Sequence, residues 1–109
     1  MKWILVSVLA LAGCTKPDAS GVKVIVGAKL IAAPGKEPID YSVIVIEGGK
    51  IVAAGPQSQI PVPKGSAITR GIGMTVEPDG GSIEAGHSAN LILKGPTDRK
   101  MHDGEWVTP

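Results

Sequence analysis

The feature that most constrains the fold is a pair of apolar runs joined by two glycines. SVIVIE at residues 42–47 and KIVAAG at residues 50–55 flank Gly48 and Gly49. A Gly-Gly pair supplies the positive φ angles that both central positions of a tight hairpin turn require. The stretch therefore predicts a β-hairpin. Because its apolar residues are nearly continuous, we expect burial on both faces.

Further strand signals lie on both sides of this hairpin. Residues 22–31 alternate with a period of two and place Lys23 and Lys29 on one face, which predicts one half-buried strand. NLILK at residues 90–94 is a short apolar run bounded by turn-forming residues. Downstream, the Asp-Gly pair at 103–104 predicts the turn of a second hairpin, although its first arm is polar.

The remaining segments contain few positions where a helix is compatible with the sequence. Pro61 and Pro63 exclude a central strand between the two halves of the chain. A helix is compatible only with residues 67–76, where Gly71 and Gly73 weaken it. With no Phe in the chain, the core must be built from Val, Ile, Leu and Ala. The predicted class is all-β, and the length suits one domain.

The amino terminus has the organisation of an export signal. Lys2 is followed by an apolar run that ends at Gly13 and Cys14, well short of the ~20 residues of a spanning helix. LAGC at residues 11–14 resembles the lipobox of bacterial lipoproteins, and Cys14 is the single cysteine of the sequence. The resemblance implies cleavage before Cys14 and its acylation with palmitate-type chains. An ordinary signal peptide with a chance cysteine, or a buried free thiol, is the alternative.

These observations predict the organisation and location of the chain. Residues 1–13 are expected to be a helical lipoprotein signal peptide, and residues 14–21 a lipidated tether. Thr15 stands where, in enteric-type lipoproteins, an Asp marks retention in the inner membrane, so the periplasmic face of the outer membrane is favoured. Without Lys2 the chain has equal numbers of basic and acidic residues, which does not suggest nucleic acid as a partner.

The order of the segments is similar to a known family. VKVIVGAKLI at residues 22–31, VIVIEGGKIVAAGP at 43–56 and VPKG at 62–65 resemble the amino-terminal segment of the amidohydrolase superfamily of metal-dependent hydrolases. GSIEAGHSANLIL at 81–93 and DGEWV at 103–107 resemble its carboxy-terminal segment. In that family the two segments form a small composite β-sandwich beside a metal-bearing (β/α)₈ barrel, which is inserted between them.

The resemblance implies a composite β-sandwich over residues 22–109. Its amino-terminal half would be residues 22–65 and its carboxy-terminal half residues 81–109, with residues 66–80 as a junction in place of the barrel. A barrel of this kind takes ~200 residues or more and does not fit into the junction. The resemblance thus extends to the accessory domain and not to the catalytic one.

The catalytic residues of the family have no counterpart here. Its first metal motif is two histidines separated by one residue of any type. This sequence has no such triplet, and its histidines are His87 and His102. A catalytic zinc site takes about three protein ligands, so we expect neither zinc nor a catalytic residue, and the two histidines remain the candidate ligands. His87 stands where the family often has Lys. Asn90 stands where the family usually has Asp, so we expect the loss of a carboxylate that would orient the turn.

Other motifs favour structural roles. RGIGM at residues 70–74 lacks the spacing of a dinucleotide fingerprint and suggests a flexible junction. Glu47, Asp79 and Glu84 flank predicted turns and are expected to be solvated there. Ser82 lacks the strand-turn-helix context of an activated nucleophile.

Two functions from different classes remain. The first is a lipid-anchored, non-catalytic binding or structural module. The second is a component of an amidohydrolase acting on carbon-nitrogen bonds, whose barrel another chain supplies or whose site is unrecognised. A damaged gene is the third possibility, but the presence of both family segments and an export signal favours an internally shortened, foldable product.

Overall fold

The computed structural model describes residues 21–107, and all regular secondary structure in that range is β-structure. We number its strands β1 (Val22–Val26), β2 (Lys29–Leu30), β3 (Ser42–Glu47), β4 (Lys50–Pro56), β5 (Ala67–Arg70), β6 (Thr75–Pro78), β7 (Leu91–Lys94), β8 (Arg99–His102) and β9 (Glu105–Val107). The first sheet has four strands in the order β4-β3-β1-β5. The second sheet has five, in the order β9-β8-β7-β6-β2.

The two sheets share one aliphatic core and form a β-sandwich-like fold. The first sheet contributes Ile25, Ile44, Ile46 and Ile51, and the second sheet with its connections contributes Leu30, Val76, Ile83, Leu91, Leu93 and Met101. All of these side chains are buried. The prediction of an all-β sandwich is confirmed. The expected signal helix, residues 1–13, lies outside the described residues, and within residues 21–107 no helix is long and apolar enough to cross a membrane.

Both predicted hairpins are present. β3 pairs with β4 around Gly48 and Gly49, and β8 pairs with β9 around Asp103 and Gly104. All four turn residues have positive φ, as the two-residue turn predicts. β3 is buried from Ser42 to its penultimate residue, which confirms burial on both faces for the first arm of the hairpin. The prediction is wrong for the second arm, because Val52 of β4 is half exposed and the two alanines after it are only partly buried.

The strand predicted over residues 22–31 is instead two strands in different sheets. Gly27 has a φ of 92° and turns the chain out of the first sheet, so that β1 and β2 belong to separate layers. Lys23 and Lys29 therefore do not share one sheet face. The prediction of half-burial is also wrong for β1, since Val24 and Ile25 point to opposite faces and both are buried.

The junction is also strand rather than helix. β5 pairs in parallel with β1 in the first sheet, and β6 pairs in parallel with β2 in the second. The corner between β5 and β6 is close-packed. The Gly71 amide donates to the Val26 carbonyl at 2.7 Å, and a Cβ on Gly71 would lie 2.8 Å from the Cβ of Ala28. The glycine thus permits close approach of two chain segments rather than flexibility.

Candidate functional site

The candidate ligand His87 lies on an exposed turn beside the edge of the first sheet. Its backbone carbonyl accepts a hydrogen bond from the Ile51 amide at 2.8 Å. Its ring Nδ1 is 3.4 Å from the Ser82 Oγ, and both side chains belong to the same short segment. This pair has the atoms of a serine–histidine dyad, but among residues 21–107 no third group hydrogen-bonds to the imidazole to orient it. The backbone of this segment forms hydrogen bonds along the outer edge of β4, and covering that edge is its structural role.

The candidate ligand His102 lies at the end of β8. Its Nε2 is 3.3 Å from the Oδ2 of Asp103, and both side chains are more than half exposed. The structure places His87 and His102 on separate turns with separate partners. Within residues 21–107 it brings together no cluster of three His, Cys, Asp or Glu side chains.

The carboxylates considered in the sequence also lie apart. Asp79 pairs with Lys100 at 3.4 Å on the outside of the second sheet. Glu84 begins the turn that ends at His87, where its backbone carbonyl accepts the His87 amide at 3.1 Å. Glu47 is exposed at the end of β3. None of these contacts joins two carboxylates in the arrangement that paired acid–base chemistry requires.

Asn90 orients a turn through its side chain. Its side-chain oxygen accepts a hydrogen bond from the Asp103 amide at 2.7 Å. A carboxamide oxygen is an acceptor like a carboxylate oxygen, so the loss of a carboxylate expected from the sequence does not leave this turn without an acceptor. The turn that it holds packs on the turn of the first hairpin. The two turns are so close that a Cβ on Gly104 would lie 2.7 Å from the Cα of Gly49. The tips of the two hairpins therefore meet through glycine.

The sequence did not predict a concave surface that lies at the corner between the sheets. A groove of about 500 Å³ lies beside the corner between β5 and β6, where Lys29, Tyr41, Ile72 and Met74 contribute to its lining. A second groove shares Asp40 and Tyr41 with it. Tyr41 and Ile72, which both line the first groove, are 64% and 66% exposed. The groove therefore presents one aromatic and one aliphatic side chain to solvent.

Tyr41 is held in a strained backbone conformation. Its φ of 51° lies in the left-handed region, which is uncommon for a residue with a side chain. Hydrogen bonds clamp the backbone on both sides: the Ser42 amide and hydroxyl both donate to the Ala28 carbonyl, and the Gln57 amide donates to the Tyr41 carbonyl at 3.0 Å. Such strain persists only where the surroundings impose it. The clamp presents the ring outward between the two grooves.

The groove presents groups of several chemical kinds. It offers an aromatic face, aliphatic and thioether surface, one ammonium group from Lys29 and one carboxylate from Asp40, both exposed. Such a mixture suits contact with a partly apolar surface that has polar groups at its margin. The signal in the sequence was the rarity of aromatic residues, since Trp106 packs against the core and under Arg99. Among residues 21–107, Tyr41 is then the aromatic residue left for contact.

Comparisons with known proteins add no further information on identity. No protein-family model matches the chain, and no curated protein matches it. The expected lipidation site Cys14, the expected cleavage position after Gly13 and all of the expected tether except Gly21 lie outside the described residues.

Proposed function

We propose that this chain is a lipid-anchored, non-catalytic binding or structural module, with a β-sandwich similar to the composite domain of amidohydrolases. The observation that carries the proposal is the corner at residues 71–74. It links β5 in the first sheet to β6 in the second, so both segments close on one core without an intervening domain. This supports a complete accessory domain rather than an enzyme with a missing part.

The environment of the histidines supports the absence of catalysis. Within the part of the chain that the structure describes, each ring has one side-chain hydrogen-bond or ion-pair partner and lies in solvent. General acid–base and metal-centred hydrolysis depend instead on several groups that converge in a site that limits water. In this proposal His87 and His102 are turn residues. The family metal is expected not to bind.

Metal analysis with a substrate panel tests the proposal. The purified full chain should retain less than stoichiometric zinc after dialysis and should not hydrolyse cyclic amides or related substrates. The His87→Ala, His102→Ala double variant should behave identically in both assays. Tight zinc at one equivalent or more, with turnover that the double variant loses, would contradict the proposal.

The membrane anchor is tested separately. Mass spectrometry of the protein from bacterial membranes should find an acylated Cys14 at the mature amino terminus, and Cys14→Ser should move the protein to the soluble fraction. Two or more acyl chains anchor stably because each buried methylene contributes about 0.8 kcal/mol. An unmodified chain that begins elsewhere would leave the module without its anchor.

A second candidate function is an enzyme component that docks a barrel supplied by another chain. The observation that favours it is the exposure of Tyr41 and Ile72 beside the corner between β5 and β6. By the resemblance, this is the part of the chain from which the barrel would emerge. A neighbouring reading frame that encodes a barrel without its own sandwich is the partner to test. Its co-purification should be lost in Tyr41→Ala, Ile72→Ser and retained in the matched surface variant Val107→Ser.

A further inference from the structure

The edges of the two sheets differ in how they are covered. At the edge of β4, the Ile51 amide donates to His87 at 2.8 Å, and the Ile51 carbonyl accepts from Gly86 at 2.7 Å. At the edge of β2, Leu30 and Ile39 exchange two backbone hydrogen bonds of 2.8 and 2.9 Å. Among residues 21–107, no strand pairs with the outer side of β5.

The edge of β5 also has little of the protection that natural proteins place on open edges. Edges are commonly blocked by charged side chains, proline, bulges or a covering loop. β9, the other open edge, has the exposed Glu105 with Lys23 beside it at 3.3 Å. β5 is regular, begins with Ala67 and has Ile68 53% exposed in its middle, and its charged residue is Arg70 at the end.

The hydrogen-bond pattern shows which groups are free at this edge. The Gly71 amide donates to the Val26 carbonyl, and β5 and β1 pair in parallel with Val26 opposite Arg70. In a parallel ladder alternate residues of a strand bond to the same neighbour. Thr69 therefore bonds to β1, whereas the backbone groups of Ile68 and Arg70 point away from the sheet.

We propose that β5 pairs antiparallel with β5 of a second copy of this chain, around a two-fold axis at Thr69. In this register Ile68 of each copy exchanges backbone hydrogen bonds with Arg70 of the other. The two four-stranded first sheets become one continuous sheet across the dimer. The interface is closed and isologous, so it does not propagate into a fibre.

The neighbouring registers are disfavoured by contacts of the same strand. An axis at Arg70 would place two guanidinium groups directly opposite each other, which is destabilising. An axis at Ile68 would need the Ser66 amide, which already donates to the Pro63 carbonyl at 3.3 Å. The axis at Thr69 uses both free residues and places each Arg70 opposite an aliphatic side chain. This self-complementarity favours a second copy of the chain over an unrelated peptide as the partner of β5.

Disulfide trapping tests the register. The full chain with Cys14→Ser provides a thiol-free background. Thr69→Cys in that background would place two thiols opposite each other in a non-hydrogen-bonded antiparallel pair, where Cα atoms about 4.5 Å apart are compatible with a disulfide. We expect it to form a disulfide-linked dimer under mild oxidation, whereas the matched edge variant Val107→Cys remains monomeric. Equal cross-linking of both variants, or none at Thr69→Cys, would overturn the proposal.

Sedimentation equilibrium in the same background tests the energetics. Ile68→Pro removes an outward N–H without removing a hydrogen bond to β1, and Ile68→Lys keeps that N–H but places an ammonium group opposite Arg70 of the second copy. Each should lower the association constant by about tenfold or more, and Ile68→Val should leave it nearly unchanged. Unfolding curves verify that the variants fold. A wild-type chain that is monomeric throughout, or association that persists in Ile68→Lys, would overturn the proposal.

Discussion

The outer faces of the two sheets have opposite chemistry. On the first sheet, Val22, Val24, Val43 and Val45 form a second apolar cluster, covered by the crossover between β4 and β5, with Ile60 packed against it. On the second sheet the outer face is polar and open, with ion pairs between Lys94 and Glu77 and between Lys100 and Asp79. The two central strands of the first sheet, β1 and β3, are thus buried on both faces, whereas the second sheet is buried on one.

This difference explains the role of the two prolines. The chain must return from one edge of the first sheet to the other, because β4 and β5 lie at opposite edges. Pro61 and Pro63 keep that crossover out of the sheet, and it lies over the valines instead. A small sandwich with few aromatic residues thereby gains a second aliphatic layer.

The largest expected effect comes from removing the second sheet's carboxy-terminal strands. Deletion of residues 81–109 takes away β7, β8 and β9 and exposes the inner face of the first sheet, which includes Ile25 and Ile44. We expect the whole free energy of unfolding, typically about 5–15 kcal/mol for a domain, to be lost. Differential scanning calorimetry of the truncated and full chains measures this. A cooperative transition in the truncated chain would mean that the covered first sheet is a domain by itself.

A polar substitution on each outer face tests the comparison directly. Val24→Thr buries a hydroxyl under the crossover and should destabilise the protein by about 1–3 kcal/mol. Ile92→Thr, its counterpart on the polar face of the second sheet, should cost less than about 1 kcal/mol because that side chain is only partly buried. Urea unfolding of both variants gives the two values. Equal costs would show that the outer faces do not differ in solvent access.

A methyl group at the corner tests the close packing that links the sheets. Gly71→Ala places a Cβ 2.8 Å from that of Ala28, and we expect a loss of about 1–3 kcal/mol. Gly21→Ala is the matched control, since among the described residues no atom beyond its chain neighbour lies within 4 Å of its added Cβ. Thermal unfolding of the two variants separates them. A neutral Gly71→Ala would indicate that the corner adapts as a flexible junction would.

The smallest effect is expected from the ion pairs of the polar face. Lys94→Ala removes the contact with Glu77, at 3.5 Å between partly exposed groups, and should cost about 0–1 kcal/mol, less at high salt. Unfolding at low and high ionic strength measures both the cost and its screening. A larger, salt-independent loss would mean that the lysine stem contributes by packing.

The sequence was sufficient for the local parts of this fold. Both hairpins could be predicted because the Gly-Gly and Asp-Gly turns encode their own geometry over two residues. The division of residues 22–31 into two strands could not be predicted in this way. Gly27 interrupts a regular alternation, and its positive φ depends on the corner of the chain around it. β5 and β6 were missed because their partners β1 and β2 are distant in sequence and a parallel pair leaves no local turn signal.

The groove of the candidate site could not be predicted from the sequence. The small number and wide spacing of the histidines led us to expect no family-like metal set, and this stays a prediction. The groove beside Tyr41 depends on a left-handed tyrosine, which is imposed by hydrogen bonds from Ser42 and Gln57 rather than by local propensity. No periodicity or turn motif in the sequence reports such a tertiary constraint.

Native-state amide hydrogen exchange tests most directly whether the two segments form one domain. Ile44 in β3 and Leu93 in β7 are buried in the shared core and lie in central strands of the two sheets. The account predicts that both amides exchange by global unfolding, with opening free energies that agree within about 0.5–1 kcal/mol and equal the free energy of unfolding. A Leu93 amide that opens several kcal/mol more easily than that of Ile44 would contradict a single cooperative core.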